Sequence, residues 1–182
     1  GIPTFREKNG FWDKYNIKKV AFSDSINNFP DIFFKFHNEI SEELSIKKPN
    51  YSHYYLSRLE EICEVIIVTQ NIDLLHEAAG SSNVIHMHGQ IKHAHCHLCK
   101  KEYEYEKNIY GKNCIECNGK IRPNITLINE HVKYQKEVFK HLITSDLFIQ
   151  IGTSASIAPA NKYVENFSGY KINISKEKPK NI

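Results

Sequence analysis

The sequence contains little arginine, no long apolar run and too few cysteines for a disulfide scaffold. Only 3 of its 24 basic residues are arginines and the net charge is +3, so we do not expect direct binding to nucleic acid. No apolar run approaches the roughly 18–20 residues that span a bilayer, and the first residues have neither the basic flank nor the apolar stretch of a signal peptide. We therefore expect an intracellular, cytoplasmic protein that does not contact membranes.

What the sequence does contain is sufficient for a folded core. The chain has 182 residues, of which 41% are hydrophobic, and this size is typical of a single domain. The composition excludes disorder as the main state of the chain.

Four of the five cysteines occur as two closely spaced pairs, Cys96-x-x-Cys99 and Cys114-x-x-Cys117, with 14 residues between the pairs. Without a secretory signal the thiols stay reduced, which disfavours disulfides. Four thiolates complete the tetrahedral coordination that structural zinc prefers. The sequence therefore predicts a zinc-binding module over residues 90–123. The fifth cysteine, Cys63, lies in an apolar stretch and is predicted to be a buried core residue.

Short apolar runs and helical patterns alternate along the rest of the chain. The runs predict strands buried on both faces at residues 64–69, 84–87, 124–128, 146–151 and 171–174. The intervening patterns predict helices at residues 31–44, 51–63, 134–144 and 160–167. This alternation favours an α/β fold, a mostly parallel sheet covered by helices, with the zinc module inserted into it.

Polar clusters follow three of the predicted strands. They are Gln70-Asn71-Ile72-Asp73, His88-Gly89 and Gly152-Thr153-Ser154. In open α/β sheets the ligand crevice lies beyond the carboxyl ends of the strands. Amides with a carboxylate suit a sugar or a carboxamide, a Gly-Thr-Ser turn lets the backbone approach phosphate or ribose, and a histidine beside glycine suits proton transfer near neutral pH. The clusters together predict a nucleotide-using enzyme with a histidine base.

The order of these motifs resembles that of the sirtuins, which are NAD-dependent protein lysine deacylases. The resemblance covers essentially the whole chain and is closest to the class with a Gly-x-Pro-Thr-Phe-Arg motif. It implies a Rossmann-like domain over residues 1–89 and 124–182, with a small four-cysteine zinc module over residues 90–123. The motifs are Gly1-Ile2-Pro3-Thr4-Phe5-Arg6, Thr69-Gln70-Asn71-Ile72-Asp73, His88-Gly89, the two cysteine pairs, Gly152-Thr153-Ser154 and Ile172-Asn173.

The resemblance also implies the reaction and the roles of individual residues. NAD is the cosubstrate, zinc is structural, and an acyl-lysine protein or peptide is the substrate. His88 matches the general base of a reaction that yields free lysine, nicotinamide and O-acyl-ADP-ribose. The positions that match cofactor contacts are Phe5, Arg6, Gln70, Asn71, Asp73, Gly152, Thr153, Ser154 and Asn173. The zinc ligands are Cys96, Cys99, Cys114 and Cys117.

Two departures from the family pattern bear on the substrate. One peptide-binding loop of the family matches residues 126–130. It has Ile128-Asn129-Glu130 where the family usually has Phe-Gly-Glu, and we expect the loss of glycine to restrict the backbone. The Tyr and Arg of the desuccinylases fall on Phe34 and His37, so the carboxylate clamp is missing. A phenylalanine-lined pocket favours acetyl or another neutral acyl group, although we expect a protonated His37 to attract a carboxylate.

Other functions remain compatible with the sequence. The family has a glycine-rich phosphate loop before the Gly-x-Pro segment and a closing element after the Ile172-Asn173 position, and we expect both to lie outside these 182 residues. The same cleft suits an NAD glycohydrolase or a mono-ADP-ribosyltransferase, because both release nicotinamide. An inactive, zinc-stabilised interaction module is the non-enzymatic alternative.

Overall fold

The computed structural model describes residues 14–152 and 160–175. The chain divides into two compact units, residues 1–133 and residues 134–182. In the first unit the helices are α1 (Ile17–Val20), α2 (Ser25–Asn28), α3 (Pro30–Ser45), α4 (Tyr51–Leu59) and α5 (Leu75–Ala78). Its strands are β1 (Ile67–Thr69), β2 (Val84–His86), β3 (Gly89–Cys96), β4 (Glu102–Glu104) and β5 (Ile121–Ile125).

Helix α3 organises the core of the first unit. Proline at its first position begins the helix without losing a hydrogen bond, because the first amides of a helix have no intrahelical acceptor. The buried residues Phe33, Phe36, Ile40 and Leu44 recur at helical spacing and form one apolar face. This face explains why the sequence predicted the helix to within a residue at each end.

Helix α3 and the cysteine-rich segment share one hydrophobic cluster. Phe34 packs against Gly111, and the Asn38 side-chain amide donates to the Tyr110 carbonyl at 3.1 Å. A Cβ at Gly111 would lie 3.1 Å from the Phe34 ring, and its φ of 90° also favours glycine. The predicted domain boundaries at residues 89/90 and 123/124 stay a prediction. The shared cluster shows that α3 packs against residues of the predicted zinc module.

The strands of the first unit form two sheets. Strand β1 pairs with β2 in parallel, as the sequence predicted, and the antiparallel order β4-β3-β5 forms the second sheet. Strands β3 and β4 were not predicted. A register shift between Gln90 and Ala94 interrupts the alternation of buried residues in β3, which removes the period of two that signals a strand.

The second unit contains α6 (Gln135–Thr144), β6 (Leu147–Ile151), α7 (Ala160–Asn166) and β7 (Tyr170–Ile174). Strands β6 and β7 pair in parallel, with Gln150 opposite Asn173. Burial on both faces was predicted for these strands, and this is wrong for both, because only Gln150 of β6 is buried and four of the five residues of β7 are exposed. Within the described residues of the two units, no helix is long and apolar enough to cross a membrane.

Candidate active site and zinc centre

Strands β1 and β2 bring two of the predicted polar clusters to one edge of their sheet. They run in parallel with Thr69 opposite His86, so their carboxyl ends meet. The Met87 amide continues the ladder by donating to the Thr69 carbonyl at 3.0 Å. The residues that follow β1, including Gln70 and Asn71, therefore lie beside the residues that follow β2.

His88, the predicted base, is half-buried at this edge. Its Nδ1 lies 3.0 Å from the carbonyl oxygen of Gln70. A carbonyl only accepts hydrogen bonds, so Nδ1 donates and Nε2 of the neutral ring holds the free lone pair. Burial lowers the pKa of His88 below its ordinary value, and the bond to Gln70 opposes this shift only in part. The ring is consequently neutral at physiological pH, as a general base requires.

The segment after β1 is fixed by its own side chains. The Thr69 hydroxyl accepts from the Asn71 amide at 3.0 Å, and Asp73 Oδ1 accepts from the Leu75 amide at 3.0 Å. Asp73 is 9% exposed, whereas Asn71 is exposed. The predicted cofactor contacts Gln70, Asn71 and Asp73 therefore occupy one short, anchored segment next to His88.

Gly89 sets the distance between His88 and β5. Its φ is 74°, and a Cβ on this residue would lie 2.0 Å from the Asn124 carbonyl oxygen. No other residue type fits there without moving the backbone. The close approach lets the Thr126 amide donate to the His88 carbonyl at 2.8 Å, which connects the predicted base to the predicted peptide loop.

An ion pair that the sequence did not predict links the two ends of the predicted peptide loop. Arg122 donates to both carboxylate oxygens of Glu130, at 2.6 and 2.9 Å, and to the Ile125 carbonyl at 2.7 Å. Glu130 also accepts from the Leu127 amide at 2.9 Å. Burial alone raises the pKa of Glu130, but the bonds from Arg122 and Leu127 lower it below its ordinary value. The sequence offered no pattern that pointed to this ion pair. Its only unusual feature there is that Arg122, one of 3 arginines, precedes a proline.

We expect Arg122→Met to lower the free energy of unfolding by about 3 kcal/mol, because it leaves Glu130 partly buried without its counter-charge. Lys35→Ala is the matched control, since it removes an exposed helical pair with Glu39 and costs no more than about 0.5 kcal/mol. Urea unfolding at pH 7 measures both. A loss at position 122 no larger than that of the control would contradict a structural role for the pair.

Asn129, which replaces the usual glycine, adopts a backbone conformation that glycine favours. Asn129 has a φ of 76°, a left-handed conformation that asparagine adopts more readily than most residues. Asparagine still has fewer accessible conformations than glycine, so the restricted backbone stays a prediction. The preceding residue, Ile128, is 37% exposed, and its backbone pairs with Ala21 and Ser23 at 2.8 and 3.1 Å.

The remaining predicted cofactor residues belong to the second unit or lie outside the described residues. Gly152 follows β6, has a φ of 63° and donates to the Ile174 carbonyl at 2.9 Å. Asn173 lies in β7, and its Nδ2 is buried with no hydrogen-bond partner among the described residues. An unpaired buried amide fits a polar ligand. Phe5, Arg6, Thr153 and Ser154 lie outside the described residues.

The four paired cysteines form one cluster, with all Sγ atoms within 4.8 Å of one another. Sulfurs bound to one zinc ion at about 2.3 Å are spaced this closely, so the donor set fits tetrahedral zinc. The Tyr103 hydroxyl donates to Cys114 Sγ at 3.0 Å and orients that ligand. The prediction for Cys63 is wrong, because this thiol is exposed near the end of α4.

The aromatic residues that we expected around the acyl group belong to the core. Phe33, Phe34 and Phe36 are 0%, 7% and 2% exposed and pack within α3 and its shared cluster. Burial lowers the pKa of His37 to about 4, and the bond from its ring to the Phe33 carbonyl does not restore it. His37 is therefore uncharged at neutral pH, and the expectation that it attracts a carboxylate is wrong.

Comparison with known proteins places these features in a family context. The model of the Sir2 family matches residues 1–159. The chain is 39% identical over 180 residues to the NAD-dependent protein deacylase SIR2rp3 of Leishmania major, covering 93% of this chain and 74% of that protein. It is 35% identical to an NAD-dependent protein deacetylase of Sulfolobus acidocaldarius, covering 89% of this chain and 67% of that protein. A solved Sir2 homologue–NAD complex has a TM-score of 0.88 at 30% identity, covering 99% of this chain and 74% of that one.

Proposed function

The chain belongs to the Sir2 family, and from that premise we propose that it removes acyl groups from protein lysines in an NAD-dependent reaction. The observation that supports this most directly is the geometry of His88. Its Nδ1 is bonded to the Gln70 carbonyl, its pKa is lowered by burial, and it lies beside the anchored segment 70–73. A neutral, oriented imidazole of this kind accepts a proton at Nε2.

Each part of the site has a defined task in the proposed reaction. When bound, NAD supplies the ribose carbon that receives the acyl oxygen as nicotinamide leaves. In the first unit, Gln70, Asn71 and Asp73 would orient the nicotinamide and its ribose. In the second unit, Gly152 and Asn173 match the family positions that would hold the adenosine half. His88 Nε2 removes a proton from a ribose hydroxyl and passes it to solvent. The Leu75 amide donates to the Asp73 carboxylate and holds it in one position. Asp73 therefore does not have to rearrange before the reaction.

We also propose a preference for neutral acyl groups. A succinyl group needs a cation that meets its carboxylate, and arginine does this best because its two parallel donors match the two oxygens. The two positions that we aligned with the desuccinylase clamp hold core residues, Phe34 and the uncharged His37, so neither supplies such a cation.

A panel of peptides tests both the reaction and the preference. With NAD and an acetyl-lysine peptide, the protein should release one nicotinamide for each lysine that is deacetylated. Its kcat/KM on this peptide should be at least equal to that on the succinyl-lysine peptide. Nicotinamide release should require the acyl-peptide. Release without peptide would instead favour an NAD glycohydrolase, label transfer from NAD to protein would favour an ADP-ribosyltransferase, and a succinyl preference would overturn the acyl assignment.

A further inference from the structure

His86, two residues before the predicted base, makes two contacts that the proposed reaction does not use. It is the last residue of β2 and only 4% exposed. Its Nε2 lies 2.6 Å from Glu77 Oε1, and its Nδ1 lies 3.3 Å from the Asn71 carbonyl oxygen. The ring therefore bridges the segment after β1 and helix α5.

Both partners of the His86 ring are hydrogen-bond acceptors. The ring is thus held between the Glu77 carboxylate on one side and the Asn71 carbonyl on the other. Gln90 Nε2 donates to the same carboxylate oxygen at 3.4 Å, which keeps Glu77 facing the ring.

Three successive carbonyls, starting at the last residue of β1, are thus held by three successive residues of the neighbouring chain segment. The Met87 amide binds the Thr69 carbonyl, and the His88 ring binds the Gln70 carbonyl. The His86 ring binds the Asn71 carbonyl and so fixes the residue whose exposed side chain we assign to nicotinamide. Glu77 reaches this point from α5, the helix whose first amide is bound by Asp73.

We propose that His86, whose ring bridges Glu77 and the Asn71 carbonyl, is a positioning residue that fixes the Asn71–Asp73 segment for the nicotinamide half of NAD. The inference rests on the proposed function for the identity of the ligand. It assigns no proton transfer to His86. His86 affects how tightly the nicotinamide half of NAD is bound and does not affect binding of the adenosine half.

Two substitutions of His86 separate its contacts. In His86→Asn the side-chain amide replaces Nδ1 and keeps a donor for the Asn71 carbonyl. In His86→Gln the longer side chain places its amide where Nε2 lies, so it reaches Glu77 but not Asn71. Glu77→Gln replaces the carboxylate that orients the His86 ring with a neutral amide. The matched control is Glu60→Gln, because Glu60 binds Ser82 at 2.6–3.2 Å near the start of β2 and does not contact the segment 70–73.

The affinities for NAD and for ADP-ribose, which lacks nicotinamide, provide the test by titration calorimetry. We expect His86→Gln and Glu77→Gln to weaken NAD binding by about tenfold or more, which is the loss of one charge-assisted hydrogen bond. ADP-ribose affinity should stay within about twofold, and His86→Asn and Glu60→Gln should resemble the wild type in both ligands.

Steady-state kinetics gives a second readout. The KM for NAD should rise in His86→Gln and Glu77→Gln, while kcat at saturating NAD changes less. Unchanged NAD affinity in both variants would overturn the proposal, and so would an equal loss of ADP-ribose affinity or an equal defect in His86→Asn. A wild-type protein that binds NAD but does not deacylate peptides contradicts the proposed function and leaves the binding test of His86 intact.

Discussion

Replacing His88 with alanine should reduce kcat/KM for deacylation by at least about 100-fold, which is the lower range for loss of a general base. The remaining protein should bind zinc as before and lose no more than about tenfold in NAD affinity, because the His88 ring contributes one hydrogen bond, to the Gln70 carbonyl, and the backbone contact to Thr126 persists. Peptide kinetics, NAD titration and zinc content measure these three properties.

The pH dependence of the wild type offers an independent check on His88. A base must be unprotonated, so activity is lost as pH falls through its pKa. Burial lowers that pKa, and the acid limb of kcat/KM should therefore lie below the ordinary imidazole value of 6.5. The limb should vanish from the residual activity of His88→Ala.

His93→Ala is the control for the loss of a histidine. His93 lies in β3 on the same chain segment, and its side chain is exposed. This variant should retain wild-type activity. A His88→Ala protein that deacylates at the wild-type rate would exclude His88 as the base.

Loss of zinc should be as damaging as loss of the base, but through folding. Cys114→Ser removes a buried ligand of the four-sulfur cluster, and we expect the protein to lose its zinc ion. The melting temperature should fall by about 10 °C or more, because a chain of this size loses roughly 2–4 °C per kcal/mol. Deacylation should fall in parallel.

The physical reason is the cluster that the predicted zinc module shares with α3. Ile109, Tyr110 and Ile121 pack in the same core as the buried face of that helix, so disorder in the zinc module exposes the helix as well. Cys63→Ser is the matched control, since this exposed thiol lies outside the cluster. It should retain one zinc ion and full activity. Retention of zinc and melting temperature in Cys114→Ser would show that the cluster is not the metal site.

The sequence predicted those elements whose pattern is local. Helix α3 has a continuous apolar face and a proline start, and β1 and β2 are apolar runs, so their positions followed from neighbouring residues alone. Strand β3 was not predicted because its register shift breaks the alternation. Burial was harder to predict, and both Cys63 and β7 are more exposed than their apolar character indicated.

The candidate site also contains some features that a local sequence pattern predicts and others that it does not. The cysteine pairs and the motif around His88 identified the zinc cluster and the family from spacing and order, since each signal lies within a few residues. The Arg122–Glu130 pair and the His86–Glu77 pair were not predicted, because these charged side chains meet only once strands β2 and β5 and helix α5 are in place.

By itself, therefore, the sequence determined the class of fold, the Sir2 family and the four cysteines that cluster, and it singled out the predicted base. Its scarcity of arginine argued against a nucleic-acid surface, but gave no reason to single out Arg122. The tertiary structure alone decided that Arg122 is buried against Glu130, that His37 is a neutral core residue and that His86 bridges Glu77 and Asn71. These outcomes depend on burial and on contacts between distant segments, which set the charge state of a side chain and are absent from any local pattern.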